Sequence, residues 1–227
     1  PAGNTFAEIG SPVRVLVGIG RVRRVPIPDL PPMGVAIRAR RGVRLVDLEG
    51  GLVAALRGHH VVYNNGGPVY LRHRDAYYLL DPDARALVPV SEREAKRTFL
   101  DPPQPDLPEP RGVFMHAGHW RYMIGSPVSD DALGQWSGEC GSPLAFWIPP
   151  NGEPQLVTGE RSLRGAPESI AMGWTPDGDA IVLLPDGLCG GGTSPSGVYL
   201  FAAPGDGRLV VAADDASLWT TAEPAMP

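Results

Sequence analysis

The chain is 227 residues long, and Gly and Pro together make up about a quarter of it, a density of helix breakers that excludes a predominantly helical protein. With 43% hydrophobic and 20% charged residues it has the composition of a globular protein rather than a disordered one, and no run approaches the roughly 18 consecutive apolar residues of a membrane helix. A net charge of -5 argues against a general nucleic-acid binder, yet the charge is uneven: residues 1–60 hold nine Arg and four acids, residues 165–227 one Arg and eight acids.

In chain order, the first strands are expected around Val13–Val17 and where Arg38 and Arg40 alternate with Ile37 and Ala39, a period-two pattern with one solvated face. From Val43 onward one unit recurs four times: a β-branched or aromatic run, a turn rich in Pro, Gly or Asp, and a second apolar run, the pattern of a β-hairpin. Val43–Leu48 turns at Glu49–Gly51 into Leu52–Ala54, and Tyr77–Leu80 turns at Asp81–Asp83 into Ala86–Val88. Leu144–Ile148 turns at Pro149–Gly152 into Gln155–Val157, and Val198–Phe201 turns at Pro204–Gly207 into Leu209–Val211. Two more strands precede the second hairpin (His60–Tyr63, Val69–Leu71), the third (Val113–Met115, Arg121–Ile124) and the fourth (Ser169–Met172, Ala180–Leu184). Ser126–Gly141 reads as a long insertion, Glu92–Arg111 as a short helix or a Pro-rich exposed loop, and Ser217–Thr221 as a last strand.

A lone hairpin is marginal in water, so these units must bury their faces on one another. Repeated four-stranded antiparallel units predict an all-β, β-propeller-like array in a single domain spanning 1–227, with a Pro-rich insertion or linker at about 92–111. The hairpins lie 34, 67 and 54 residues apart, which leaves four or five blades, with the two termini expected to share a sheet.

Trp174-Thr175-Pro176-Asp177-Gly178, Ala180-Ile181-Val182 and Gly197-Val198-Tyr199-Leu200-Phe201 with Gly207 resemble the blade motif of TolB-type and WD-like propellers over about residues 169–213. A looser echo covers 113–158, where Gly118-His119-Trp120 stands for the Pro-Asp-Gly turn. The resemblance implies protein–protein binding, with no substrate specified.

Gly138-Glu139-Cys140-Gly141-Ser142 also resembles the nucleophile segment of viral chymotrypsin-fold cysteine proteases, with His59 or His60 as base and Asp75 or Asp81 as orienting acid. The other reading of Cys140 is a bridge to Cys189, since each Cys-Gly precedes its own hairpin in adjacent units, and a bridged Cys140 cannot be a nucleophile. The absence of an initiator Met at Pro1, taken with such a bridge, leads to the expectation of an exported protein whose targeting segment has been removed.

His116 and His119 form an HxxH pair without the rest of a metal set, so neither a metal nor a cofactor is expected. Trp147 and Trp174 fall in the repeat pattern and are expected to pack, whereas Trp136, lacking a core partner by pattern, is the candidate contact for a protein partner or small ligand, with Trp120 and His119 beside it. The function expected is a non-catalytic binding or scaffolding module working through loops at one face; the alternatives are the cysteine protease and a propeller hydrolase or lyase using channel carboxylates.

Overall fold

The structure, a computed structural model, describes residues 13–14, 23–62, 68–96, 107, 118–137, 143–160, 166–186 and 195–221. Their elements are β1 (Val13–Arg14), β2 (Val25–Pro26), β3 (Met33–Ala39), β4 (Gly42–Val46), β5 (Leu52–Arg57), β6 (His59–Val62), β7 (Tyr70–His73), β8 (Ala76–Asp81), β9 (Ala86–Val90) and α1 (Glu92–Ala95). There follow β10 (His119–Gly125), β11 (Ala132–Ser137), β12 (Pro143–Ile148), β13 (Gln155–Leu156), β14 (Ile170–Trp174), β15 (Ala180–Leu184), β16 (Gly197–Phe201), β17 (Gly207–Val211) and β18 (Ala216–Thr220). The protein is all-β, a propeller-like array of antiparallel sheets ordered β1-β5-β4-β3-β18, β2-β9-β8-β7-β6, β10-β11-β12-β13 and β14-β15-β16-β17. Two compact units divide these sheets, residues 1–100 with 216–223 and residues 101–215 with 224–227.

The N-terminal unit takes its last strand from the far end of the chain. β18 pairs antiparallel with β3, placing Trp219 opposite Gly34, and the indole occupies the space a Cβ there would need. Trp219 Nε1 donates to Pro31 O at 3.1 Å, so the ring is buried without stranding its polar atom. Around it Ile27, Leu45, Leu56, Leu71, Tyr78 and Leu87 form the core between the two sheets. The sharing of a sheet by the two chain ends, expected from the sequence, is present, with β1 running parallel to β5 at the other edge. The short helix falls at the start of the polar segment, where Ser91 Oγ accepts the Glu94 N–H at 3.1 Å, the first half of a capping box.

The C-terminal unit follows the repeat closely in its last sheet. β15 and β16 are buried at every position, as central strands covered on both faces are, and the Thr175–Asp179 turn joins β14 to β15. Gly178 sits there at φ +93°, a conformation that suits glycine. In the preceding sheet two expectations are corrected. Gly118-His119-Trp120 does not make the turn; it leads into β10, and the chain reverses at Ser126–Asp131, where the Ser126 N–H donates to Asp131 O at 2.8 Å. The supposed insertion after Ser126 contains β11, a central strand paired with β10 and β12.

Buried polar groups tie the two sheets of this unit together. Gln135 Nε2 reaches the carbonyls of Trp136, Leu144 and Ser169 at 3.2–3.3 Å, while Gln135 Oε1 accepts the Ala171 N–H at 2.7 Å. Ser169 Oγ accepts the Ala145 N–H at 2.8 Å, Tyr122 OH donates to Ala171 O at 2.9 Å and Trp174 Nε1 donates to Ile124 O at 2.8 Å. Trp147 meets Trp174 edge to face at 4.8 Å, the packing role expected of both.

Candidate functional site

In an antiparallel meander successive turns fall at opposite ends of the sheet. The β3–β4 turn, the β5–β6 connection and the β7–β8 turn therefore share one end of the N-terminal unit. Direct contacts hold them together: the Gly58 N–H donates to Arg41 O at 2.9 Å, and a Cβ on Gly58 would lie 3.2 Å from the His73 ring. This end carries Arg38, Arg40, Arg41, Arg57, Arg72 and Arg74, all exposed. The carboxylate on these turns is Asp75, 4.0 Å from Arg72 in a pair exposed on both sides, a contact worth little.

Arg72 is the anchored member of the group. Its Nε donates to Arg74 O at 2.6 Å, and its guanidinium lies 5.7 Å from the Tyr77 ring centroid. Arg74 occupies the left-handed region at φ 56°, in a two-residue connection where glycine would be at ease. A non-glycine residue held in that conformation is a strained choice, and strain of this kind gathers where a side chain is needed.

Beneath the arginines lies a pair of stacked imidazoles. His59, fully buried, donates from Nδ1 to Arg57 O at 3.1 Å and stacks on His73 with centroids 4.6 Å apart and planes 19° from parallel. That hydrogen bond selects the tautomer in which Nε2 is a bare acceptor, and Nε2 has no partner; nor does Tyr78 OH, whose ring centroid is 6.0 Å from that of His59. Burial pushes the His59 pKa down to about 4, against the opposing bond to Arg57 O and with help from the His73 and His60 charges. Burial also lowers His73, aided by the Arg74 and His60 charges. Both rings are thus uncharged at neutral pH, and the positive field belongs to the guanidinium groups.

The opposite end of the unit has a net acidic excess among the described residues, although Arg85 lies in one of its turns and Arg24 donates to Ala84 O there. Its turns, Asp47–Gly51 and Asp81–Arg85, carry Asp47, Glu49, Asp81 and Asp83. Asp47 Oδ1 accepts the Glu49 and Gly51 N–H groups and Asp81 Oδ1 the Ala84 N–H, so two of the four carboxylates are spent on their own turns. Beside the helix, a shallow hollow lined by Asp75, Tyr77, Pro89, Val90, Ser91 and Glu92 is internally satisfied, because Glu92 Oε1 accepts from Tyr77 OH at 3.0 Å and Lys96 Nζ at 2.5 Å.

The residues singled out from the sequence fare differently. Trp136 and Trp120 are corrected as contact residues: they are 1% and 3% exposed, face each other across β10 and β11 with centroids 5.3 Å apart, and pack with Phe146 in the core of their sheet. His119 is exposed at the start of β10. His60 and Asp75 both lie at the basic end of the N-terminal unit, but His60 sits opposite Arg72 in the register and the contact of Asp75 is with Arg72. Cys140, Cys189 and His116 lie outside the described residues, as does most of the Pro-rich segment. Among the described residues no group of three or more His, Cys, Asp or Glu is placed to hold a metal, and no helix is long and apolar enough to cross a membrane.

Sequence reasoning recorded the Arg-rich quarter without locating its focus. The signal that finds it is hairpin parity: the β3–β4 and β7–β8 turns carry Arg40, Arg41 and Arg74, Arg57 borders the β5–β6 connection, and the β4–β5 turn at the other end carries Asp47 and Glu49. No family model, curated protein or solved structure matches the chain.

Proposed function

We propose that the protein is a non-catalytic binding module of an exported protein, a propeller of the class that the 169–213 repeat resembles, making its contacts through connections at one face. The observation that carries this reading is the basic end of the N-terminal unit, where three connections and the strand ends beside them hold six exposed arginines with one weakly engaged carboxylate among them. Binding sites on scaffolds of this kind lie on loops fixed by the sheets behind them. A selection from a random-peptide display library against the intact chain tests it. The reading expects ligands that bind saturably, one per chain, and lose affinity when connection residues at that end are substituted. Failure to recover any saturable ligand, or ligands insensitive to those substitutions, sinks it. The export component is tested by the intact mass of the denatured, non-reduced protein after iodoacetamide: an unmodified mass marks a Cys140–Cys189 bridge, and two added groups remove the support for an oxidising compartment.

A further inference from the structure

We infer that the basic end of the N-terminal unit docks a short acidic polypeptide segment, a run of Asp or Glu carboxylates laid across the β3–β4, β5–β6 and β7–β8 connections. The inference rests on the reading of the chain as a binding module and adds the chemistry of its partner.

Three features specify that chemistry. The first is unspent charge: Arg38, Arg40, Arg41, Arg57 and Arg74 make no ion pair among the described residues, and the Asp75 contact engages Arg72 alone. The planar guanidinium fork matches a carboxylate two bonds at a time, and five forks on neighbouring turns and strand ends favour a ligand with several such groups. The second is size. Packed sheets stand about 10 Å apart, so a patch on two of them spans some 10–20 Å, which an extended peptide rising about 3.3 Å per residue covers in roughly three to six residues. The third is the rest of the molecule. With a net charge of -5, a long polyanion or an anionic bilayer that extends past the patch meets a net acidic molecule, whereas a segment of about three to six residues stays on the arginines.

The framework also meets the cost of docking before the ligand arrives. Arg72 is fixed by its bond to Arg74 O and by the Tyr77 ring, the Gly58–Arg41 hydrogen bond locks two of the three connections together, and Arg74 is already held in a conformation that costs energy to adopt. The His59–His73 stack under the patch is neutral and adds no charge that changes near pH 7.

Fluorescence anisotropy on the full chain tests the inference with a labelled hexapeptide of alternating Glu and Gly, its Glu→Gln counterpart, a single-stranded DNA dodecamer and vesicles containing phosphatidylserine. The acidic peptide is expected to bind saturably at low salt, at least tenfold tighter than its Gln counterpart, and to weaken several-fold as NaCl is raised. Arg41→Glu with Arg74→Glu is expected to weaken it at least tenfold, and the single Arg40→Gln, on an exposed turn residue, several-fold with an unchanged melting temperature. Asp83→Asn at the opposite end is expected to leave binding unchanged. Equal binding of the Glu and Gln peptides, both lowered by the Arg substitutions, overturns the acidic partner while leaving the binding module standing. Tighter binding of DNA or vesicles, binding indifferent to the Arg substitutions, or no binding of the acidic peptide also overturns it; the module reading falls only with the display selection.

Discussion

Among the described residues each unit leaves two buried side-chain polar atoms without a partner, and the units differ in what else lies between their sheets. In the C-terminal unit Gln135 and Ser169 sit between sheets and are bonded on every side, so that a potential cost becomes a cross-link between β11, β12 and β14. The stranded atoms of the C-terminal unit, Trp136 Nε1 and Thr158 Oγ1, lie apart from that network, whereas those of the N-terminal unit, His59 Nε2 and Tyr78 OH, lie directly behind the arginine-bearing end. The C-terminal pattern is that of a device for holding sheets together. The N-terminal one places two stacked, uncharged imidazoles beneath a cationic surface. The contrast teaches that the same repeated hairpin can be tuned for cohesion in one place and for presentation in another.

The largest expected effect tests whether the units are separable as cooperative blocks. Trp219 lies in β18 yet fills the N-terminal core, so Trp219→Ala should destabilise that unit by about 3–5 kcal/mol through lost burial and the cavity left over Gly34. Hydrogen exchange should speed up in β7 and β8 and much less in β15 and β16. Equal acceleration in all four strands would mean that the units unfold as one and would blunt the contrast.

Next in size is the pH dependence of the N-terminal unit. The folded pKa of His59 is about 4 against an ordinary 6.5, so below 6.5 the unfolded chain takes up a proton that the folded one refuses. Its contribution is complete above pH 6.5 and is lost as pH falls towards 4, on the order of 3 kcal/mol over the whole window. His59→Phe keeps a ring stacked on His73 and removes the titration. Denaturant titrations of both proteins should therefore diverge between pH 6.5 and 4, with the variant losing less. Parallel curves would place the acid sensitivity elsewhere.

Much of this was legible in the sequence, for reasons that differ by element. β14 to β17 were readable because Pro-Asp-Gly turns and unbroken apolar runs are local signals, and local signals need no knowledge of neighbours. β11 was hidden because Gly134 and Gln135 break its apolar pattern, and the reasons for both are non-local: Gly134 makes room for Trp120 and Ile148, and Gln135 bonds to another sheet. Trp136 looked partnerless for the same cause, since Trp120 meets it only once β10 and β11 pair. The basic end required topology as well. Arg41, Arg57 and Arg74 are 16 and 17 positions apart, and only the alternation of hairpin ends brings them to one side.

A smaller effect probes the C-terminal half of the contrast. Gln135→Leu keeps the volume but strands the Ala171 N–H that Oε1 serves, and a buried donor left without a partner costs about 1–3 kcal/mol. Ser169→Ala removes the acceptor of the Ala145 N–H. Because the two side chains belong to one network, the double variant should lose less than the two single losses added together, measured as a double-mutant cycle. Strict additivity would reduce the network to two unrelated contacts.

The smallest expected effect bears most directly on presentation. Arg74 stands at φ 56°, where glycine is unstrained, so Arg74→Gly should raise stability by a few tenths to about 1 kcal/mol while removing one guanidinium from the basic end. Stability and affinity for the acidic peptide should then move in opposite directions, which a residue retained only for folding would not produce. Arg85 provides the control, since it has the same backbone conformation at φ 46° but lies in the turn at the acidic end. Arg85→Gly should give a comparable gain in melting temperature with no loss of peptide binding. If both substitutions stabilise and neither weakens binding, the strain at Arg74 is a property of the turn alone; if only Arg74→Gly weakens it, the strained arginine is there for its charge.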